Sequence, residues 1–369
     1  MQGFSHEEHE GSTKKMKSLI PIFSLFLLFI FSPLKAEVRA VWVPIWDLKT
    51  PGKIDTMMAE ISENKINKVM AQIRYRGDAM YSPNRTDSTY SNPDNRCYVL
   101  GDSTDFDPLA HLISLGKKYD VEIHGWVTAV IVTPHDLTKL PPEHIYFQHP
   151  EWVTANFDGN TMPNDVLEGA YLDPGIPEVR QYITGVISDI VSNYNLDGIH
   201  LDYIRYPNEM YGYNALARSI YEKDIEFKDA DSWPVWKQAQ ISKLVRRIYK
   251  EIKVISPDVQ ITAAVISDRD GAAKRYGQNW ADWLDKGFID SVYLMAYTTK
   301  DDVLQKKLNK ITKHREKVVV GLRAWTENSY PVAKINKKIK KVNSMNFAGF
   351  GLYSYTGIRR QNYFDGLKY

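Results

Sequence analysis

Two aspartates and a histidine stand within six positions of one another in the run YNLDGIHLDYIRYP, residues 194–207. Ile199, Leu201 and Tyr203 alternate with His200 and Asp202, the period-two pattern of a strand whose faces differ. His200 and Asp202 therefore project together, whereas Asp197 with Gly198 reads as the turn entering the strand. A carboxylate aimed into an interior is costly to bury, so it is kept by a fixed partner or by chemistry. Glycosidic-bond cleavage is the chemistry that carboxylates perform in pairs. One protonates the leaving oxygen and the other attacks the sugar or activates water.

Asp202 therefore needs a partner. The run QITAAVISD ends in Asp268, at the rim of the following strand, so the expected pair is Asp202 as nucleophile or base and Asp268 as general acid. The segment SDRDG also reads as a loop opening, with Asp268 as a turn-capping residue. Glu327, Asp173, Glu168 and Asp78 are the other candidate carboxylates. The run VEIHGWVTA places Glu122, His124 and Trp126 on one strand face, and VMAQIRY does the same for Gln72 and Arg74. Expected substrate contacts are Arg74, His124, Trp126, His200, Tyr203, Arg205, Tyr297 and Trp325. The histidines would orient Asp202 or a sugar hydroxyl, and Trp42, Trp126 and Trp325 would offer flat apolar faces to sugar rings. No His-x-His or HExxH spacing occurs, so no metal and no cofactor is expected.

These residues need a scaffold that brings strand ends together. Short β-rich runs at 39–45, 68–75, 121–128, 198–204, 260–267, 291–297, 318–324 and 347–354 alternate with helical patterns at 53–64, 107–119, 177–193, 236–255, 279–286, 301–314 and 331–344. Eight βα units without a break in composition predict a single (β/α)8 TIM barrel over residues 37–369. A doubly wound open sheet is the competing architecture, but no glycine-rich dinucleotide fingerprint follows the first strand. The connections after strands two, three and four are long and rich in aromatics. In a barrel they lie on the face that carries the active site.

The bulk numbers exclude several classes. With 43% hydrophobic and 25% charged residues the 369-residue chain is globular, and a formal charge of +2 leaves no footprint for nucleic acid. The run Lys334, Lys337, Lys338, Lys340 and Lys341 reads as the wet face of a helix. Cys97 is the only cysteine, so no internal disulfide can form. From Met16 to Ala36 a basic flank, an apolar run and a small residue make a signal peptide, within a leader of residues 1–36. The apolar run is shorter than the ~20 residues that span a bilayer. Export to the periplasm or medium is expected, with no stable membrane insertion after cleavage.

The ordered segments EVRAVWV, RYRGDAMY, FDPLAHLISLGKKYDVEIHGWV, HPEWV, YLDPGIPEVRQYI, DGIHLDYIRYP, WADWLDKGFIDSVYLMAY and GFGLYSY resemble the bacterial glycosyl-hydrolase-like family ten of exported TIM-barrel proteins, over residues 37–355. The resemblance implies a glycoside hydrolase acting on cell-envelope glycan, with peptide-free peptidoglycan strands as substrate. It also implies a match of Asp202 to the family's strand-four aspartate, and of His124 and Arg74 to polar positions of strands three and two. Chitinase-type barrels end a similar run as DGxDxDxE. Here Ile204 stands at the glutamate position and His200 at the middle aspartate, which disfavours that mechanism. A non-catalytic glycan-binding barrel and a metal-dependent amidase or deacetylase are the alternatives.

The mature chain is predicted to begin at or near Glu37. N-terminal sequencing of exported protein checks it, and an apolar segment retained in the membrane fraction would refute it.

Overall fold

A computed structural model describes residues 37–101, 105–227, 233–325 and 330–369. The expected signal segment and Glu327 lie outside the described residues. From Glu37 to Tyr369 the chain forms one compact unit. Eight parallel strands succeed one another: β1 (Val38–Val43), β2 (Lys68–Tyr75), β3 (Glu122–Thr128), β4 (Gly198–Asp202), β5 (Gln260–Ile266), β6 (Ser291–Met295), β7 (Val318–Arg323) and β8 (Gly349–Tyr353). Each pairs with the next, and β1 pairs with both β2 and β8, so the barrel closes. The TIM-barrel expectation holds. Among the described residues no helix is long and apolar enough to cross a membrane.

The helices start where the sequence signals them. Pro51, Pro108 and Pro177 occupy first helical positions, where a missing N–H costs nothing, and the Asp107 side chain accepts from Ala110 N at 3.0 Å to cap the second. In Pro51–Glu63 the buried residues Ile54, Met57, Met58 and Ile61 recur at three- and four-residue spacing, giving the stripe that packs on the barrel wall. In Val332–Ser344 the lysines are not all wet. Lys338 shares the buried stripe with Ile335 and Ile339, and its ammonium donates to the Thr298 carbonyl.

Inside the barrel the layers are polar and aromatic rather than aliphatic. At the N-terminal end Lys68 meets Glu122 at 2.7 Å and Gln260 at 3.2 Å, and the His124 ring pairs with Glu122 at 3.2 Å. Gly198 faces that ring so closely that a Cβ would lie 2.3 Å from His124 Nδ1. Above this layer Trp42, Trp126, His200 and Tyr293 fill the axis, all nearly inaccessible. Room for Trp42 comes from Gly351, where a Cβ would lie 2.6 Å from the indole.

The long connections are structured. After β2, residues Asp78–Ala79 fold back antiparallel onto the strand and pair with Asn95–Arg96. After β3, isolated bridges Ile131↔Tyr171 and Val153↔Leu172 return the chain to the barrel mouth. The helices Ala215–Lys223 and Arg269–Tyr276 lie where the sequence pattern predicts none, and the helix expected over 301–314 ends at Asn309.

Arg74 departs from its expected role. A bulge between Gln72 and Arg74 breaks the register with β3, taking Arg74 out of the alternation of Met70 and Gln72. Its guanidinium donates to Asp94 at 2.6 Å, to Tyr182 at 2.8 Å and to the carbonyls of Thr128 and Ala129 at 2.5 and 3.2 Å. Both members of the ion pair are essentially inaccessible, at 1% and 0%. Arg74 ties the second loop to the barrel instead of meeting substrate. Removing one partner of such a pair strands a buried charge. Asp94→Ala is predicted to lose about 3–5 kcal/mol of stability in denaturant unfolding; a wild-type unfolding midpoint would show that the pair is dispensable.

Candidate active site

Strand β4 stops at Asp202, two residues before its expected end, because Tyr203 turns to φ +52°. A bulky residue adopts this left-handed conformation only when its surroundings enforce it. The turn points the Tyr203 N–H back at Asp202 Oδ1, 2.7 Å away, while the Trp126 indole donates to Oδ2 at 3.1 Å. Each oxygen thus receives one N–H, and the carboxylate is fixed as an acceptor at the C-terminal rim, still partly open to solvent. Burial pushes the carboxyl above its usual range; the Tyr203 N–H, Arg205 and the Trp126 N–H pull it back, and the charge of Glu168 raises it further.

The other expected residues take several positions. Trp126 is only 3% exposed and sets its indole edge-on to Tyr353, with ring centres 6.1 Å apart. It orients Asp202 and offers no open face for a sugar ring. His200 is fully buried; Nε2 accepts from the Trp42 indole at 3.0 Å and Nδ1 meets the Thr262 hydroxyl at 2.9 Å, so neither nitrogen remains for a sugar hydroxyl. His124 stands four residues before Thr128, the register partner of Asp202, and so about 13 Å lower along the strand. There burial and then Lys68 hold it down to about 4 despite Glu122. Both histidines build the barrel floor.

Tyr203 and Arg205 remain beside Asp202. The Arg205 guanidinium lies 5.0 Å from the Tyr203 ring centre and 5.9 Å from that of Tyr171, and the two rings meet edge to face at 5.9 Å. Tyr297 and Trp325 form an aromatic wall together with Tyr353, their ring centres 5.2–5.3 Å apart. Trp325, Tyr353 and Arg360 border an open pocket of about 320 Å³. Tyr353 escaped the sequence reading, although Gly349, Gly351 and Tyr353 share the inward alternation of the last strand.

Asp268 is not brought to this cluster by any contact. It precedes the helix Arg269–Tyr276, is about half exposed, and directs its oxygens toward Lys310 at 3.8 Å and Arg275 at 3.9 Å. Two other candidate carboxylates are buried in loop scaffolding. Asp173 accepts from Gly175 N and Thr154 Oγ1, both at 2.9 Å. Asp78, 1% exposed, is pushed up to about 8 by burial and then by Asp94.

Glu168 is different: it is exposed and bears on Asp202. Its loop is clamped, since Leu167 adopts φ +54° with its carbonyl accepting from His135 Nε2 at 2.8 Å. Next to it Gly169, at φ +134°, packs so that a Cβ would fall 2.0 Å from the Thr133 carbonyl oxygen. The Tyr171 hydroxyl makes a long bond of 3.5 Å to Glu168 Oε2. Among the described residues no three His, Cys, Asp or Glu side chains gather as metal ligands.

Comparison with known proteins adds a family to this geometry. The model of the glycosyl hydrolase-like 10 family matches residues 37–345. Glycosyl hydrolase YngK of Bacillus subtilis is 28% identical over 294 residues, covering 71% of this chain and 54% of that protein. Glycosyl hydrolase DigH of Escherichia coli K12 is 25% identical over 258 residues, covering 60% and 55%. The chain thus spans about half the length of the curated relatives it matches. Among solved structures, the glycoside hydrolase domain of PgaB (BpsB) from Bordetella bronchiseptica aligns with a TM-score of 0.67 at 13% identity, over 90% of this chain and 98% of that one. Alpha-L-fucosidase isoenzyme 2 from Paenibacillus thiaminolyticus aligns at 0.62 and 13%, over 89% and 48%. At these identities the likeness is one of fold.

The indole bond to Asp202 favours the ionised carboxylate, so its loss favours the protonated form. Trp126→Phe keeps a ring in the barrel but removes the donor. It is predicted to move the Asp202 titration to higher pH, followed by NMR of carboxyl-¹³C aspartate; an unmoved titration would show that the indole does not tune the group.

Proposed function

The chain belongs to the glycosyl hydrolase-like 10 family, and from that premise we propose that it is a glycoside hydrolase acting on bacterial cell-envelope glycan, with peptide-free peptidoglycan strands as its substrate. The observation that carries this reading is Asp202 itself. It is a desolvated carboxylate at the C-terminal end of a barrel strand, held by two N–H groups and neighboured by an aromatic wall. A polymer of sugars needs such a surface. Ring faces present C–H groups that pack on Tyr297, Trp325 and Tyr353, while hydroxyls remain hydrated.

In this reading the glycan lies across the barrel mouth with a glycosidic bond above Asp202. As that bond breaks, positive charge develops at C1, and a fixed carboxylate beneath it stabilises the change without reorganising. Asp202 then serves as nucleophile or as the base that activates water. The resemblance to envelope-acting family members and the basic-apolar leader support an exported site of action.

Asp202→Asn keeps the shape and removes the charge. It is predicted to lower release of reducing ends from purified peptide-free strands by on the order of 10³-fold, with an unchanged circular dichroism melting curve. A variant as active as the wild type would overturn the role of Asp202. Wild-type protein that binds strands but releases no reducing ends would make the chain a glycan-binding barrel.

A further inference from the structure

An exchange of protons at a glycosidic oxygen needs a group other than Asp202. Both oxygens of that residue already accept N–H donors, which hold it as an acceptor facing the mouth. We infer that Glu168, on the loop after β3, is the second carboxylate of the site and donates the proton to the leaving sugar oxygen, with Tyr171 and Arg205 holding it in place. The inference rests on the hydrolase reading above.

Three observations carry it. The first is presentation: Glu168 is solvent-exposed, yet its backbone is clamped by the Leu167 carbonyl on His135 Nε2 and by Gly169 against Thr133. The chain on either side is tied into the barrel mouth, with Val132 N on the Ala170 carbonyl at 2.9 Å and Ala170 N on Thr133 Oγ1 at 2.8 Å. An exposed glutamate on a fixed backbone can reach a bound ligand and recover a proton from solvent afterwards. The second is connection. Tyr171, fully buried, reaches Glu168 through its hydroxyl, packs edge-on against Tyr203, and shares Arg205 with it. This chain of contacts runs from Glu168 to the residue whose N–H holds Asp202. The charge of Glu168 also acts on Asp202, and both carboxylates act on Arg205.

The third is elimination among the described residues. Asp78 and Asp173 are buried in loop scaffolding, and Asp268 is turned to Lys310 and Arg275. Glu168 alone of these candidates is exposed and coupled to Asp202.

The step balances. The carboxylic proton of Glu168 passes to the bridging oxygen as the C1–O bond breaks, and the departing sugar leaves as an alcohol. One water is consumed: its hydroxyl ends on C1, and its remaining proton restores the protonation state of the carboxylate pair. Tyr171 and Arg205 are positioning residues in this scheme.

The test compares Glu168→Gln and Asp268→Asn with the wild type on two substrates. One is purified peptide-free glycan strands. The other is the 2,4-dinitrophenyl glycoside of the oligosaccharide that the wild type releases, whose leaving group departs without protonation. Glu168→Gln is expected to lose about 10²–10⁴-fold on strands and to keep turnover on the dinitrophenyl glycoside within about tenfold of wild type. Asp268→Asn is expected to match the wild type on both. A structural role for Glu168 would lower both substrates together, and that result overturns the assignment. An active wild type with Glu168→Gln equally active on strands also overturns it, leaving the hydrolase reading intact. Wild-type protein inert on every glycan strand overturns that reading and this inference with it.

Discussion

The hydrogen bond from the Trp42 indole to His200 Nε2, 3.0 Å long, is the constraint on which the barrel interior depends. Because the indole can only donate, Nε2 must be the bare nitrogen and the ring proton sits on Nδ1. That proton is taken by Thr262 Oγ1, whose own hydroxyl donates to the Ile199 carbonyl at 3.3 Å. Both ring nitrogens of His200 and the Thr262 hydroxyl are thereby used. Burial holds His200 well below its ordinary value, so it stays neutral, and a neutral ring is what permits an aromatic plug of Trp42, His200 and Tyr293. A protonated imidazole would have no acceptor at Nε2. The plug has a steric condition as well, since Gly351 leaves its inward position empty for Trp42.

What lies above the plug follows from its rigidity. Trp126 is two positions before the strand-three residue paired with Asp202, and its ring reaches upward from the packed layer to donate to that carboxylate. A donor set in a close-packed core cannot drift, so the direction of Asp202 is fixed by packing rather than by a mobile loop. The left-handed turn at Tyr203 completes the pair of donors. Its conformational cost is of order 1–3 kcal/mol and is compatible with folding because Tyr203 gains contacts with Tyr171 and Arg205. Desolvation and hydrogen bonding oppose one another at Asp202, and the first is the larger.

Legibility in the sequence tracked how local the governing physics is. Period-two alternation and first-turn prolines are local, so all eight strands and the helices Pro51–Glu63, Pro108–Tyr119 and Pro177–Asn193 fall within a few residues of expectation. Strand alternation also identified the inward face of His124, Trp126, His200 and Asp202. Alternation says nothing of depth. His124 and Asp202 share an interior, yet one lies in the floor and the other at the rim. Arg74 was misplaced by a bulge, which shifts a side chain between faces without a mark in the apolar pattern. Asp268 stands at a helix start, which looks like a strand end in sequence, and the helix Arg269–Tyr276 has almost no apolar periodicity to reveal it. Glu168 lies in a long loop whose path is set by bridges to Val132, Thr133 and Trp152, contacts that no spacing rule contains.

The same comparison explains why the site combines a strand with a loop. A strand end gives Asp202 a fixed position; in the site inferred above the second carboxylate comes from a loop instead of from another strand end. That placement needs chain that leaves the rim and returns, which residues 129–176 do. The bridge Ile131↔Tyr171 fixes where the return begins, and Tyr171 then points its hydroxyl at Glu168 while its ring faces Tyr203. The loop is therefore registered to β4 through side chains, not through strand pairing. A change in the Tyr171 to Tyr203 contact would move the two carboxylates relative to one another without disturbing the barrel, because neither ring belongs to the plug beneath.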